Sequence, residues 1–347
     1  MSIPSCLRPL RGGSPCPRAW RGLGLGLALV LLGGGPPAAA QYTFIDLHPS
    51  ALTDSYANGV SDGQQAGFGD TGDAFFYALL WTGSADSVVD LHPSGFDASI
   101  ATGVSGGQQV GQGSTGGHNH ALLWTGRADS VVDLHPSGFT DSLASGVSGG
   151  QQVGRGFTGG QSHALLWTGS AGSVVDLHSS GFPGGSVAIG VSNGQQVGDG
   201  TTGGHNHALL WTGSADSVVD LHPSGFDAST ATGVSADQQV GRGFTGGQSH
   251  ALLWTGSADS VVDLHPSGFT NSFAGGVSGG QQVGDGTTGG HNHALLWTGS
   301  ADSVVDLHTF LPPEFTESQA TGIDADGNIV GRASGRDGDH AFLLIPD

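Results

Sequence analysis

Six of the seven tryptophans of this chain keep a near-constant spacing. Trp81, Trp124, Trp167, Trp211, Trp254 and Trp297 stand 43 or 44 residues apart, inside a block that reads Gly-Val-Ser, Gln-Gln-Val-Gly, His-Ala-Leu-Leu-Trp-Thr-Gly and Val-Val-Asp-Leu-His. A repeat that admits almost no insertion is one supersecondary unit, stacked or ringed against copies of itself, because a single unit cannot bury its own apolar faces. Three landmarks agree on the count. Asp-Leu-His begins at Asp46, Asp90, Asp133, Asp176, Asp220, Asp263 and Asp306. Gly-Val-Ser stands at Gly59, Gly103, Gly146, Gly190, Gly233 and Gly276, with Gly322-Ile323-Asp324 as a divergent seventh copy. Ala-Leu-Leu-Trp occurs at the six tryptophans and ends as Ala341-Phe342-Leu343-Leu344.

Within the second unit, Ala101 to Ser105, Gln108 to Gly113, His120 to Thr125 and Ser130 to His135 have strand character. Gly106-Gly107 suits a two-residue hairpin turn, Ser114 to Asn119 reads as a loop, and no window shows a helical period. Residues two apart share a face, so His120, Leu122 and Trp124 lie together opposite Ala121, Leu123 and Thr125. Both faces are apolar, as in a sheet sandwiched between two neighbours. The expectation is an all-β fold, a seven-bladed β-propeller with four-stranded blades, in which the six tryptophans pack between blades. The register of the ends supports a ring: Tyr42 to His48 is the last strand of a unit, and the chain closes on a third strand. The N-terminal strand then completes the final blade and closes the ring. A β-solenoid is the alternative.

Residues 1–40 read as a signal peptide, because Arg8, Arg11, Arg18 and Arg21 precede an apolar run from Leu23 to Leu32, and Ala38-Ala39-Ala40 offers a small-residue cleavage site before Gln41. Residues 41–347 form the repeat domain. Both cysteines, Cys6 and Cys16, fall in the leader, which leaves that domain without a disulfide. The net charge is −20, there is no lysine, and only Arg127, Arg155, Arg242, Arg332 and Arg336 follow residue 40. A field of this sign disfavours nucleic acid and anionic membrane. The apolar run is too short for a bilayer-spanning helix, so no membrane span is expected in the mature chain.

Ala320-Thr321-Gly322-Ile323-Asp324-Ala325-Asp326-Gly327-Asn328-Ile329-Val330-Gly331, followed by His340-Ala341-Phe342, resembles the HAF family of probable extracellular repeats, whose signature couples a Gly-Ile-Asn-type turn strand to Val-Val-Gly and His-Ala-Phe. The resemblance covers all seven units and is sharpest in the last. The middle units replace Phe by Leu122, Leu165, Leu209, Leu252 and Leu295, and the Asn-containing turn by Gly-Gly or similar. The resemblance implies a bacterial, secreted or surface-displayed, propeller-like protein with no established activity. Relatives often carry a C-terminal sorting anchor, whereas this chain stops at Asp347, so release or loose surface association is expected, with the periplasm as another location.

Two histidine patterns carry candidate chemistry. His118/His120, His205/His207 and His291/His293 are i, i+2 pairs that share a strand face and offer two ligands each to a divalent cation; the intervening units read Gln161-Ser162-His163 and Gln248-Ser249-His250. Asp-Leu-His, as in Asp90/His92 and Asp133/His135, is read as a structural hydrogen-bond network repeated per blade, or otherwise as a ring holding a cation. Asp324 to Asn328 is a hairpin turn rather than a calcium loop, for want of the remaining ligands. No catalytic motif appears. Only Phe68 to Tyr77 and Thr309 to Ser318 break the repeat. The leading expectation is therefore a monomeric, non-catalytic scaffold or binding module presenting near-identical loops to an extracellular ligand such as a glycan or a protein. The alternatives are a hydrolase or lyase of an extracellular polymer, sited at the 309–318 insertion near the central channel, and divalent-cation binding with no other cofactor.

Overall fold

A computed structural model describes residues 41–72 and 75–347. The segment read as a signal peptide, residues 1–40, lies outside them. Seven four-stranded antiparallel sheets, one per repeat, form a seven-bladed β-propeller. In blade 2 the strands are Ala98–Ser105, Gln108–Thr115, His118–Trp124 and Val132–Asp133. Two expectations for this unit are corrected. The loop placed at Ser114 to Asn119 is a two-residue turn at Gly116-Gly117, and the fourth strand is two residues long because the segment before it is a 3₁₀ turn, Ala128–Ser130. The first strands line the axis: their glycines and valines, from Gly59-Val60 to Gly322-Ile323, surround one cavity.

Blade 7 takes three strands from the C-terminal end, Phe315–Ile323, Ile329–Gly335 and Gly338–Pro346, and its outer strand from Tyr42–Asp46, which pairs antiparallel from Tyr42↔Pro346 to Asp46↔Phe342. Blade 7 also meets blade 1 directly, since Thr321 Oγ1 donates to the Ala57 carbonyl at 2.7 Å.

The core is a set of clusters between blades. Ala66, Ala78 and Leu80 of blade 1 pack with Ala101, Val104, Leu122 and Trp124 of blade 2, and Val110, Ala121 and Leu123 of blade 2 pack with Ala144, Val147, Leu165 and Trp167 of blade 3. All six tryptophans are fully buried. Their indole N–H groups find no hydrogen-bond partner among the described residues, so they act here as apolar volume. Leu344 fills the same place in blade 7, also fully buried.

Hairpin turns between first and second strands hold positive φ at both central residues in blades 1 to 4 and 6, as at Gly106 (57°) and Gly107 (75°). Asp62 and Asn193 stand at the first of these positions in blades 1 and 4, and both residue types tolerate it. Ala236 does not, and holds φ 51°. Left-handed backbone costs a non-glycine residue about 1–2 kcal/mol, and glycine adds unfolded-state entropy worth about 0.4–1 kcal/mol. Ala236→Gly should therefore stabilise the fold by about 0.5–1 kcal/mol, read as a higher midpoint in thermal or denaturant unfolding; a lower midpoint would contradict the strain.

Candidate active site at one mouth of the central channel

One face of the propeller carries the turns between second and third strands and the connections that run from each blade to the next. There the Asp-Leu-His repeat forms a hydrogen-bond network. Asp133 accepts the His135 backbone N–H on Oδ1 at 2.8 Å and meets His120 Nδ1 with Oδ2 at 2.7 Å. His135 Nδ1 lies 2.9 Å from Ser142 Oγ of blade 3, and that oxygen accepts the Ala121 N–H at 3.0 Å. His120 and His135 stack with ring centroids 4.2 Å apart. Blades 3 to 7 repeat the arrangement, blade 7 through His340, Asp46 and His48. In blade 1 Tyr77 replaces the third-strand histidine and sits edge-on to His92 at 5.0 Å, while Asp90 still accepts the His92 N–H at 2.7 Å and His92 still meets Ser99. The seven serines are at most 3% exposed, so they tie blades together and offer no nucleophile.

The candidate metal ligands have separate partners. His120, His207 and His293 face Asp133, Asp220 and Asp306 at 2.7–2.8 Å. His118 is a strand residue, more than half exposed, with Nδ1 3.7 Å from Asp141. His291 lies 3.4 Å from Glu317, and His205 is exposed at its strand end. Among the described residues no three His, Cys, Asp or Glu side chains gather as a metal would need.

The two ends of the channel differ. Toward one end the glycines of the first strands bring backbones together: a Cβ at Gly190 would stand 2.7 Å from the Thr232 carbonyl oxygen of the next blade. Toward the mouth that shares its face with the histidine network, a cavity of about 320 Å³ is lined by Asn58, Thr102, Ser145, Ile189, Thr232 and Thr321, and by Phe273, Asp285 and Gln319.

At the level of Asp285 the blades are unlike. Seven cross-strand pairs share one register: Tyr56↔Phe68, Ile100↔Gln112, Leu143↔Arg155, Val187↔Asp199, Thr230↔Arg242, Phe273↔Asp285 and Gln319↔Arg332. Blades 3 to 7 thus contribute Arg155, Asp199, Arg242, Asp285 and Arg332, an arc of alternating charge. Each arginine lies over an aromatic ring: Arg155 over Phe157 at 5.3 Å, Arg242 over Phe244 at 5.0 Å and over Phe273 of the next blade at 5.5 Å, and Arg332 over Tyr56 at 5.7 Å. Stacking fixes a guanidinium while leaving its N–H edge available. Among the described residues Arg155 and Arg242 make no ion pair or side-chain hydrogen bond, whereas Arg332 binds Gln319 at 2.9 Å and lies 3.4 Å from Asp339. Burial pushes the Asp199 carboxyl up to about 6, against the pull of Thr230, Arg242 and Arg155. Burial does the same to Asp285, to about 6, against Arg332 and Arg242. Two carboxyls that titrate near neutrality beside fixed cations are equipped for proton transfer.

The sequence reading missed this arc. The Thr309 to Ser318 insertion, where a unique site was expected, is taken up by packing. Phe310 meets Tyr42 edge-on at 5.6 Å, Phe315 packs on Phe44 at 5.8 Å, and Glu314 lines a groove with Asp46, Arg336 and His340. Phe310 and Phe315 wedge against the outer strand of blade 7 while Phe315 to Ser318 open its first strand, and none of residues 309–318 lines the cavity at the mouth, so the expectation of a site there is corrected.

No protein-family model matches this chain, and no curated protein matches it. Solved structures do. A puromycin-hydrolyzing peptidase from Mycobacterium tuberculosis shares 14% identity over 87% of this chain and 53% of its own, with a TM-score of 0.55. The β-propeller domain of the Trilobed protease from Pyrococcus furiosus shares 9% over 84% of this chain and 94% of its own, with a TM-score of 0.53. An oligogalacturonate lyase in complex with manganese shares 8% over 89% and 94%, also at 0.53. The chain spans about half the length of the puromycin hydrolase it matches, 52%. These likenesses establish the propeller. They also overturn the expectation of a non-catalytic scaffold: solved propellers similar to this one include domains of peptidases and a lyase, so the architecture gives no ground for it. The near-identical loops on which it rested do not describe the mouth of the channel, where strand residues differ from blade to blade.

Acid sensitivity follows from the histidine network. Burial, then the stacked partner histidine, lowers the pKa of His48, His135, His178, His222, His265 and His308. Below about pH 6.5 the unfolded chain takes up protons that these sites refuse, so stability is lost as pH falls through that value. Asp199 and Asp285 act in the opposite sense, because their raised pKa favours the folded state as pH falls through about 6. The melting temperature should fall between pH 7.5 and 5.5, and fall more steeply in the D199N/D285N variant. A melting temperature that rises on acidification would contradict the assignment.

Proposed function

We propose that the chain is an exported enzyme that cleaves glycosidic bonds in an acidic polysaccharide, with its site at the charged arc of the channel mouth. The single observation that carries this reading is the arc itself: Asp199 and Asp285, both titrating near 6, interleaved with Arg155, Arg242 and Arg332. Export is supported by the leader-like segment before Gln41, and the resemblance to extracellular repeats agrees with it.

Arg155 and Arg242, stacked on rings with N–H edges available, pair with carboxylates of the polymer. One aspartic acid, still protonated near pH 6, donates its proton to the glycosidic oxygen. The other, ionised, takes a proton from the attacking water in hydrolysis, or from the carbon beside the sugar carboxylate in elimination. Arginine pairing with that carboxylate favours elimination, since it offsets the charge that builds up when the carbon loses its proton. Peptide cleavage by an aspartate dyad is disfavoured, because such a dyad shares one proton between touching carboxyls, whereas Asp199 and Asp285 lie two blades apart with Arg242 between them. An oligogalacturonate lyase among the propellers of this shape adds support for an acidic sugar polymer.

The test is turnover of a panel of uronate-containing and neutral polysaccharides. Acidic substrates should be cleaved, with a rate that peaks near pH 6 and falls on both sides, because one carboxyl must be protonated and the other ionised. D199N and D285N should each lose about 10²–10⁴-fold in kcat/KM. An unsaturated product end identifies elimination; oxygen taken up from labelled water identifies hydrolysis. Full activity in both variants, or no cleavage of any acidic polysaccharide, would overturn the proposal.

A further inference from the structure

We infer that the aromatic stretch of blade 1 is a distal sugar-binding platform that extends the channel-mouth site and selects long chains; this rests on the polysaccharide-cleaving reading above.

Only blade 1 carries Phe75-Phe76-Tyr77 where blades 2 to 6 carry His-Asn-His or Gln-Ser-His. These rings continue the arc. The Arg332 guanidinium lies over Tyr56, Tyr56 stacks on Phe68 with centroids 4.5 Å apart and planes 17° from parallel, and Phe68 meets Phe76 edge-on at 5.1 Å. An unbroken aromatic run therefore leads from the last cation of the arc to the seam between blades 1 and 2. At that seam Phe76 shares a cavity of about 140 Å³ with Ile100, Gln112 and Asn119. Phe75 is 47% exposed and Phe76 39%. Among the described residues the other large apolar side chains exposed are the fourth-strand valines of blades 1 to 5 and Ile345. The valines recur blade by blade and belong to the fold, whereas two adjacent exposed phenylalanines in one blade belong to a surface with a use.

Continuity with the arc decides the occupant. A chain whose carboxylates pair with Arg155 and Arg242 must leave the mouth over one of the blades, and blades 1 and 2 contribute no charge to the ring there, only Tyr56, Phe68, Ile100 and Gln112. Sugar rings present apolar C–H faces that pack on aromatic rings, while their hydroxyls are free to bond amides such as those of Gln112 and Asn119.

The experiment uses the whole protein and size-fractionated oligosaccharides of the polymer it cleaves. Wild type should show kcat/KM rising with chain length. F75A and F76A should erase most of that rise, at least tenfold in the ratio of long-chain to disaccharide values and chiefly through KM; F76W should restore it. Retention of the wild-type length preference by both alanine variants would overturn the inference. So would a change in their oligomeric state by light scattering, which would make the patch a contact between copies. Should no polymer be cleaved, the catalytic reading falls alone, and calorimetric titration of acidic oligosaccharides into wild type and F76A decides the platform: weaker binding to F76A supports it, and equal or absent binding overturns it.

Discussion

The ring depends on seven blade-to-blade contacts being interchangeable. Each wedge must subtend the same angle, and six of the seven interfaces repeat one design: leucine, alanine and tryptophan packed against alanine, valine and leucine, with a buried serine that accepts an alanine N–H from the preceding blade; between blades 6 and 7 Phe342 and Leu344 take the places of leucine and tryptophan. A change at such a contact would alter one angle and leave the circle open or strained. Most sequence variation falls off the contacts, at the inner edge of the blades and in their connections, with blade 7 and its Ile323, Phe342 and Leu344 the exception. That constraint explains how a chain of near copies acquires an asymmetric site, since the residues that differ surround the mouth of the channel.

Electrostatics sharpens the contrast. The protein carries a net charge of −20, and three of the five arginines beyond residue 40 are held at one register of one mouth. Positive charge is thus gathered there against the overall field. The same arc keeps Asp199 and Asp285 half-buried, and their pKa values rise because burial outweighs the neighbouring guanidinium groups. The Asp-Leu-His carboxylates are used structurally, each accepting a backbone N–H of its own turn.

Much of this was legible in the sequence. Recurrence of Trp, Asp-Leu-His and Gly-Val-Ser counted the blades, and the out-of-phase ends anticipated that Tyr42–Asp46 would pair with the last strand. Glycine pairs marked the hairpins because their positive φ is a local property. The site was not read, although its signal was present. In the string Gln-Gln-x-Gly-x-Gly the second variable position runs Phe68, Gln112, Arg155, Asp199, Arg242, Asp285, and Arg332 takes the same place in the divergent last unit. Attention to insertions passed over it, because repeats look identical when compared loop by loop. That these residues converge is a property of the closed ring, which brings positions about 43 residues apart to one level around an axis. The insertion at Thr309 to Ser318 misled for the converse reason: its phenylalanines serve the seam with Tyr42 and Phe44.

The most direct test of the asymmetric mouth is a crystal structure of the D285N variant soaked with an acidic oligosaccharide. Density for sugar carboxylates against Arg155 and Arg242, with the chain lying across the Asp199 side of the mouth, is the predicted result. Ligand bound instead at the glycine-and-valine end of the channel, or on the histidine face away from the arc, would contradict the account.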